Sequence, residues 1–185
     1  MKYKIFIFFA CALLCLTGFA RAGDNGVELR GFVLGNSNAT AEIRFGLHFT
    51  HPGEIIKALD EGETLELVCK AKLHRIRSFI WDDNIGEGEY TCVLYKEMLK
   101  GKYVLECPQG NRVMQNTQGE AFFSRLSRIR IPLCPWEKIS EGGKYSVTLE
   151  AELKVEGIPD WIRNTLFFWS WDMVEPVYYE MQFDY

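Results

Sequence analysis

Three histidines are the first residues to consider for metal or acid–base chemistry: His48, His51 and His74. His48 and His51 are three residues apart, but a strand that ends at His51 need not place both rings on one face. No cysteine or acidic residue at regular spacing completes a set of metal ligands. No G-x-S-x-G sequence supplies the nucleophile of a serine hydrolase. We therefore expect structural or solvated histidines, no catalytic residue, no metal and no cofactor.

The densest acidic cluster covers residues 82–89, with the sequence Asp-Asp-Asn-Ile-Gly-Glu-Gly-Glu. Its carboxylate oxygens could hold calcium, but it lacks the EF-hand spacing and the final bidentate Glu. Asp, Asn and Gly are turn formers, so the sequence favours a solvated hairpin loop. A glycosidase would need two carboxylates across a cleft, and a sequence cannot position such a pair. A secreted hydrolase with a carboxylate-based or metal-assisted site is therefore the alternative function.

Arg125, Arg128 and Arg130 form a basic group in the second half of the chain. Guanidinium groups bind carboxylates and phosphates, so Arg125 and Arg128 are predicted to contact an anionic partner. The alternative is that these arginines form the solvated face of a helix and a strand.

Five aromatic residues, three of them tryptophans, lie within residues 161–171. Sandwich cores often contain a buried Trp, so one interpretation is that this cluster packs in the core. A single strand or turn rarely buries so many aromatic rings, and surplus Trp marks interaction surfaces. We therefore predict that Trp161, Trp169 and Trp171 contribute to a contact surface, with burial in the core as the alternative.

The first 22 residues have the three parts of a signal peptide. Lys2 and Lys4 form a short positive region, residues 5–19 are almost wholly apolar, and residues 20–22 (Ala-Arg-Ala) fit the small-x-small rule. The apolar run of about 15 residues is shorter than the ~20 that a membrane-spanning helix needs. We therefore expect cleavage after Ala22 and a location in the periplasm or cell envelope. Membrane contact is expected only at the protein surface or through an uncleaved signal.

The composition is that of a globular protein, with 48% hydrophobic and 25% charged residues. Without its first 22 residues the chain has 18 basic side chains against 25 acidic ones, a formal charge of −7. Binding to nucleic acid needs a net basic face, so no nucleic-acid partner is expected.

Four cysteines remain after the predicted cleavage, and four cysteines allow three pairings. Residues 92–107 have the pattern of a hairpin. Folding this hairpin about its centre places Cys92 opposite Cys107, with Cβ atoms about 4.5–5.5 Å apart and close to disulfide reach. We predict a Cys92–Cys107 disulfide, whereas Cys69 and Cys134 either pair or remain free.

Apolar and polar residues alternate with period two in four stretches of the chain. These stretches are residues 43–50, 65–74, 145–154 and 177–184. Such alternation is typical of strands with one buried and one solvated face. Two short helices are also expected, one over about residues 53–60 and one starting at Thr117, where Glu120 completes a capping box. We predict a single all-β, mainly antiparallel domain over residues 23–185, an immunoglobulin-like β-sandwich with two short helices.

Aromatic and arginine-containing segments follow one another in a particular order along the chain. They are residues 75–77 (Arg-Ile-Arg), 79–82 (Phe-Ile-Trp-Asp), 90–95, 127–130 (Ser-Arg-Ile-Arg), 145–147, 157–159 (Gly-Ile-Pro) and 167–172 (Phe-Phe-Trp-Ser-Trp-Asp). This order resembles the bacterial family called domain of unknown function 4390, from about residue 41 to the end. The resemblance implies an exported or membrane-anchored protein with no established activity. It also implies a sensor histidine kinase of the nitrogen-regulation type as a partner, because some members are encoded beside one.

The leading functional expectation combines the export signal with the missing catalytic motifs. We expect a non-catalytic envelope domain that acts as a protein-binding or adaptor module, and its partner is a protein of the cell envelope.

Overall fold

Strands with alternating apolar residues form most of the described chain, which in this computed structural model comprises residues 26–77, 82–107, 112–119, 121–157 and 172–185. Within these residues, nine strands form two antiparallel sheets. The strands are β1 (Val27–Ser37), β2 (Thr40–Phe49), β3 (Leu65–Arg75), β4 (Asp83–Glu97), β5 (Lys102–Cys107), β6 (Arg112–Asn116), β7 (Ile129–Pro135), β8 (Lys144–Val155) and β9 (Asp172–Asp184). The prediction of an all-β, mainly antiparallel sandwich is confirmed. Its immunoglobulin-like character stays a prediction.

The smaller sheet has three strands in the order β1-β2-β7. In β2 the side chains of Ile43, Phe45 and Leu47 are buried, whereas the residues between them face outward or pack against a neighbouring loop. The alternation read from the sequence therefore matches the observed strand.

The larger sheet has six strands in the order β6-β5-β4-β3-β8-β9. Its central strand, β3, buries alternate residues such as Leu65, Leu67 and Leu73 almost completely, while Lys70 and Lys72 are exposed. The buried faces of the two sheets share one hydrophobic core.

The acidic segment at residues 82–89 was predicted as a solvated hairpin loop, and this prediction is wrong because β4 begins at Asp83. Gly86 and Gly88 lie where β4 passes close to β7 of the other sheet. A Cβ atom on Gly88 would overlap the carbonyl oxygen of Pro132. The glycines therefore permit close contact between the sheets, a role that turn propensity does not reveal.

The glutamates next to these glycines, Glu87 and Glu89, belong to the exposed face of the larger sheet. Glu87 is paired in register with Lys72, and Glu89 with Lys70. Opposite charges at directly opposed positions favour strand pairing. The acidic segment is thus explained by pairing with a basic strand.

Two short α-helices and one 3-10 turn (Trp136–Lys138) complete the described structure. The first, α1 (Pro52–Asp60), agrees with the helix predicted over residues 53–60. The second, α2 (Ala121–Leu126), does not start at Thr117 as predicted, because residues 117–119 are not helical; Glu120 of the predicted capping box lies outside the described residues. The side chain of Asn116 accepts a hydrogen bond from the backbone N–H of Gln118 at 2.9 Å. This bond turns the chain at residues 116–118 and delays the helix.

The cysteines match the hairpin prediction. A disulfide joins Cys92 to Cys107, and their strands pair in the predicted register, with Leu94 opposite Leu105. The alternative left open for Cys69 and Cys134 is resolved as two buried free thiols. Burial raises the pKa of the Cys69 thiol to about 12, so this thiol stays protonated and a weak nucleophile at neutral pH.

A polar cluster ties the end of α1 to the β4–β5 hairpin. Oδ1 of Asp60 accepts hydrogen bonds from Nζ of Lys96 at 2.7 Å and from the hydroxyl of Tyr103 at 2.5 Å. The ammonium group of Lys96 also lies 4.9 Å from the centre of the Tyr103 ring, within cation–π range.

This cluster should make stability depend on pH through Asp60. Hydrogen bonds from Lys96 and Tyr103 hold the pKa of Asp60 below its ordinary value. A carboxyl with a lowered folded pKa stabilises the fold above its unfolded pKa, about 4, and this contribution disappears as the pH falls through the lower folded value. Thermal melts should therefore show Asp60→Asn less stable than the original protein at pH 7, with the difference shrinking at pH 3. Glu63→Gln is the control, and an unchanged difference for Asp60→Asn would contradict the assignment.

Candidate functional site

The outer face of the three-stranded sheet carries a group of arginines. Arg30 is on β1, Arg44 on β2 and Arg130 on β7, and Arg128 lies just before β7. Arg44 and Arg130 occupy directly opposed positions in the β2–β7 pairing. Together with Gly46 and Ser127, the four arginines line a pocket of about 280 Å³, called here the arginine recess.

The alternation of the strands explains this arrangement. Ile43 and Phe45 are buried, so Arg44 between them points outward, and the buried pair Ile129 and Ile131 has the same effect on Arg130. The residues that follow α2 lie against β2 because Gly46 has no side chain. A Cβ atom there would lie 2.5 Å from the carbonyl oxygen of Ser127.

The arginines are only partly neutralised by neighbouring carboxylates. Arg30 pairs with Glu28 at 2.9 Å, and Nη1 of Arg130 lies 4.0 Å from Glu42. Among the described residues, neither Arg44 nor Arg128 has a carboxylate within 4.0 Å. Like charges at directly opposed strand positions cost stability. An anion bound in the arginine recess, which both Arg44 and Arg130 line, would relieve that cost.

A second pocket continues the arginine recess toward α1 and α2. Its volume is about 520 Å³, and its apolar walls are Leu47, Phe49, Pro52 and Phe123; we call it the apolar recess. The rings of Phe49 and Phe123 pack at a centroid distance of 5.3 Å.

Both recesses share the same boundary residues, which are Arg30, Gly31, Gly46 and Ser127. They therefore form one continuous surface, called here the groove, with a cationic end and an apolar end. A ligand that fills both ends must carry a negative charge directly beside an apolar group.

The binding residues predicted from the sequence have different positions. Arg128 lines the arginine recess. Arg125 is half-buried in α2 and does not line either recess. Trp161, Trp169 and Trp171 lie outside the described residues, so their role stays a prediction.

Sequence reasoning missed Arg30 and Arg44. The period-two pattern of residues 43–50 already places Arg44 on the polar face of its strand. Only the pairing of β2 with both β1 and β7 brings that face together with Arg30 and Arg130.

The outer face of the larger sheet brings together a serine, a glutamate and a histidine. Oγ of Ser146 donates a hydrogen bond to Oε1 of Glu180 at 2.8 Å, and Nε2 of Gln182 donates to the same oxygen at 3.0 Å. These bonds, from Gln182 first and then Ser146, together with the nearby His74, keep the pKa of Glu180 below its ordinary value. Such a carboxylate is a weak general base, because a catalytic base needs a pKa near the working pH.

The other sequence candidates for chemistry lie apart from the groove or only at its edge. His48 lines the apolar recess, whereas His74 pairs in register with Ser146 on the larger sheet. Among the described residues, no three His, Cys, Asp or Glu side chains are grouped closely enough to hold a metal ion. In the same part of the chain, no helix has the length and apolar character needed to cross a bilayer.

Comparison with known proteins gives one assignment. Curated proteins and solved structures yield no match to this chain. A family model described as domain of unknown function (DUF4390) matches residues 24–181, which is most of the sequence. The chain therefore belongs to the DUF4390 family.

Proposed function

We propose that this domain is a non-catalytic protein-binding module of the bacterial cell envelope, and that the groove is its binding surface. The observation that carries the proposal is the set of four arginines beside a recess lined by apolar side chains. Within the part of the chain that the structure describes, only two of these arginines have a carboxylate nearby. Arginine and aromatic side chains dominate the binding energy of protein interfaces.

The N-terminal sequence and the disulfide support export. Residues 1–22 have the composition of a signal peptide. Disulfides persist in oxidising compartments such as the periplasm, and Cys92 and Cys107 are joined. The periplasmic part of a membrane sensor histidine kinase is the first partner to test, because the family resemblance implies a kinase of this type.

The alternative, a secreted hydrolase with a carboxylate-based or metal-assisted site, is the weaker candidate. The carboxylate of Glu180, on the outer face of the larger sheet, accepts a hydrogen bond from the hydroxyl of Ser146. A serine nucleophile instead needs a base that accepts its proton at neutral pH, and the low pKa of Glu180 does not suit that role.

Affinity capture from envelope extracts tests the proposal. Protein produced from the full chain is immobilised through a C-terminal tag as the original sequence, Arg44→Glu, Arg128→Glu and Lys70→Glu. Lys70 is an exposed residue of the opposite sheet, so Lys70→Glu is a control with the same change of charge. The loss of an arginine anchor costs about 2 kcal/mol, or roughly 30-fold in affinity.

The expected result is a partner that the original protein and Lys70→Glu retain and that both arginine variants lose. All four proteins should remain folded, because the substituted side chains are exposed. Arg44→Glu removes a like-charge pair with Arg130, whereas Lys70→Glu places a glutamate opposite Glu89 and Glu150, so small shifts of melting temperature in opposite directions are expected. Equal retention by every variant would exclude the groove. The absence of any specifically retained protein would contradict the binding function itself.

A further inference from the structure

We infer that the groove recognises an acidic peptide segment in which an aromatic or aliphatic side chain lies next to carboxylates. This inference rests on the proposed protein-binding function and adds the chemistry of the partner. The observation behind it is the direct junction of the arginine recess with the apolar recess along Arg30, Gly31, Gly46 and Ser127.

Charge complementarity is the first step of the argument. The whole chain has a formal charge of −4, yet the arginine recess gathers four arginines against the two nearby carboxylates of Glu28 and Glu42. Guanidinium groups bind carboxylates in a planar, two-bonded geometry. The guanidinium of Arg44 lies over Gly35 of β1, and Arg130 is on β7 at the other side of β2. The arginine recess can therefore hold more than one carboxylate of the same segment.

The shape of the apolar recess gives the second step. Phe49 is buried and Phe123 half-buried, so their rings form the wall of a depression and do not project from the surface. A pocket of about 520 Å³ has room for a large apolar side chain. Because the two recesses share four boundary residues, that side chain and the carboxylates must lie side by side on the partner, as neighbouring residues of one peptide segment do.

An anionic lipid headgroup offers similar negative charge, but the described surface suits it less well. Proteins that bind anionic membranes use clusters of four to eight basic residues and apolar side chains that insert into the bilayer. Here the apolar side chains line a depression, and Glu28 and Glu42 lie beside the arginines. The net negative charge of the chain would also oppose approach to an anionic bilayer.

Fluorescence polarisation with three labelled probe peptides tests the inference. The first probe has one Phe flanked on each side by two acidic residues. In the second, Asn and Gln replace the acidic residues, and in the third, Ala replaces Phe. We expect the first probe to bind at least about tenfold more tightly than either of the others, and added salt to weaken its binding.

Substitutions in the groove should distinguish the contribution of its cationic end to binding from that of its apolar end. Arg44→Gln and Arg128→Gln should each weaken the first probe at least about tenfold, whereas Lys70→Gln should leave it unchanged. Ser124→Trp should fill the apolar recess, because Ser124 lines it from the exposed side of α2. This variant should abolish the preference for Phe over Ala. Phe123→Ala should also abolish this preference. If Phe123→Ala does not fold stably, Ser124→Trp alone still tests the apolar recess.

The outcomes distinguish this inference from the proposed function. Equal affinity for all three probes, or no binding of any, would overturn the acidic-peptide assignment, even if an envelope protein is captured in a manner that depends on Arg44. Sedimentation with vesicles of phosphatidylglycerol and phosphatidylcholine is the second arm. Binding to these vesicles that depends on Arg44, without binding to the probes, would replace the peptide with a membrane surface.

Discussion

Removing the Cys92–Cys107 disulfide should lower the free energy of unfolding by about 3 kcal/mol. The bridge closes a loop with a sequence separation of 15 residues, and a loop of this size limits the entropy of the unfolded chain by about that amount in the chain-entropy model. Both cysteines are buried in the shared core. The effect should be a large fraction of the total stability, which for single domains is about 5–15 kcal/mol.

The chain offers a matched control for this measurement. The double variant Cys92→Ala with Cys107→Ala removes two buried sulfur atoms and the crosslink. The double variant Cys69→Ala with Cys134→Ala removes two buried sulfur atoms and no crosslink, because both thiols are free.

Urea unfolding of the two double variants isolates the crosslink as the difference between them. We expect the first variant to be less stable by about 3 kcal/mol and to be insensitive to reducing agent. Equal stability of the two would show that the hairpin register, and not the bridge, holds these strands together.

The fold was largely predictable because its strands are half-buried. Residues 65–74 alternate apolar and polar side chains, and the observed β3 buries the apolar ones. The same local rule predicted the pairing of Leu94 with Leu105, since a hairpin brings together residues that are close in sequence.

The start of β4 could not be predicted from the same rule. In the segment Gly86-Glu87-Gly88-Glu89 the inward positions are glycines, so hydropathy shows no apolar side. The reason for those glycines is the close approach of β7, a strand more than 40 residues away in sequence. Local turn propensity therefore indicated a loop where a long-range contact makes a strand.

The candidate site was predictable only in part for a similar reason. Arg128 belongs to a basic group that is visible in the sequence, whereas Arg30 and Arg44 are isolated arginines in their own strands. The order β1-β2-β7 joins them into one face. This order pairs β2 with a strand some 80 residues later, and no local pattern encodes that pairing.

Changing Gly88 to Ala should lower stability by about 2–3 kcal/mol, although it adds only one methyl group. The added Cβ would overlap the carbonyl oxygen of Pro132 and would lie 2.6 Å from Cγ2 of Ile131. Backbone atoms of β7 cannot move aside as a flexible side chain can, so β4 and β7 must separate. Overpacking of this kind typically costs about 1–3 kcal/mol.

Gly53→Ala is the control for the Gly88 substitution, because Gly53 in α1 has no atom within 4 Å of an added Cβ. Alanine favours a helix over glycine by up to about 1 kcal/mol, so this control should be neutral or more stable. A loss of 2–3 kcal/mol corresponds to a fall in melting temperature of about 4–12 °C for a domain of this size. If Gly88→Ala has the same melting temperature as the original protein, the two sheets do not approach as closely at this point as the structure indicates. If the melting temperature of Gly88→Ala is lower and that of Gly53→Ala is not, the glycines in the acidic segment at residues 82–89 are required for sheet packing and not for a turn.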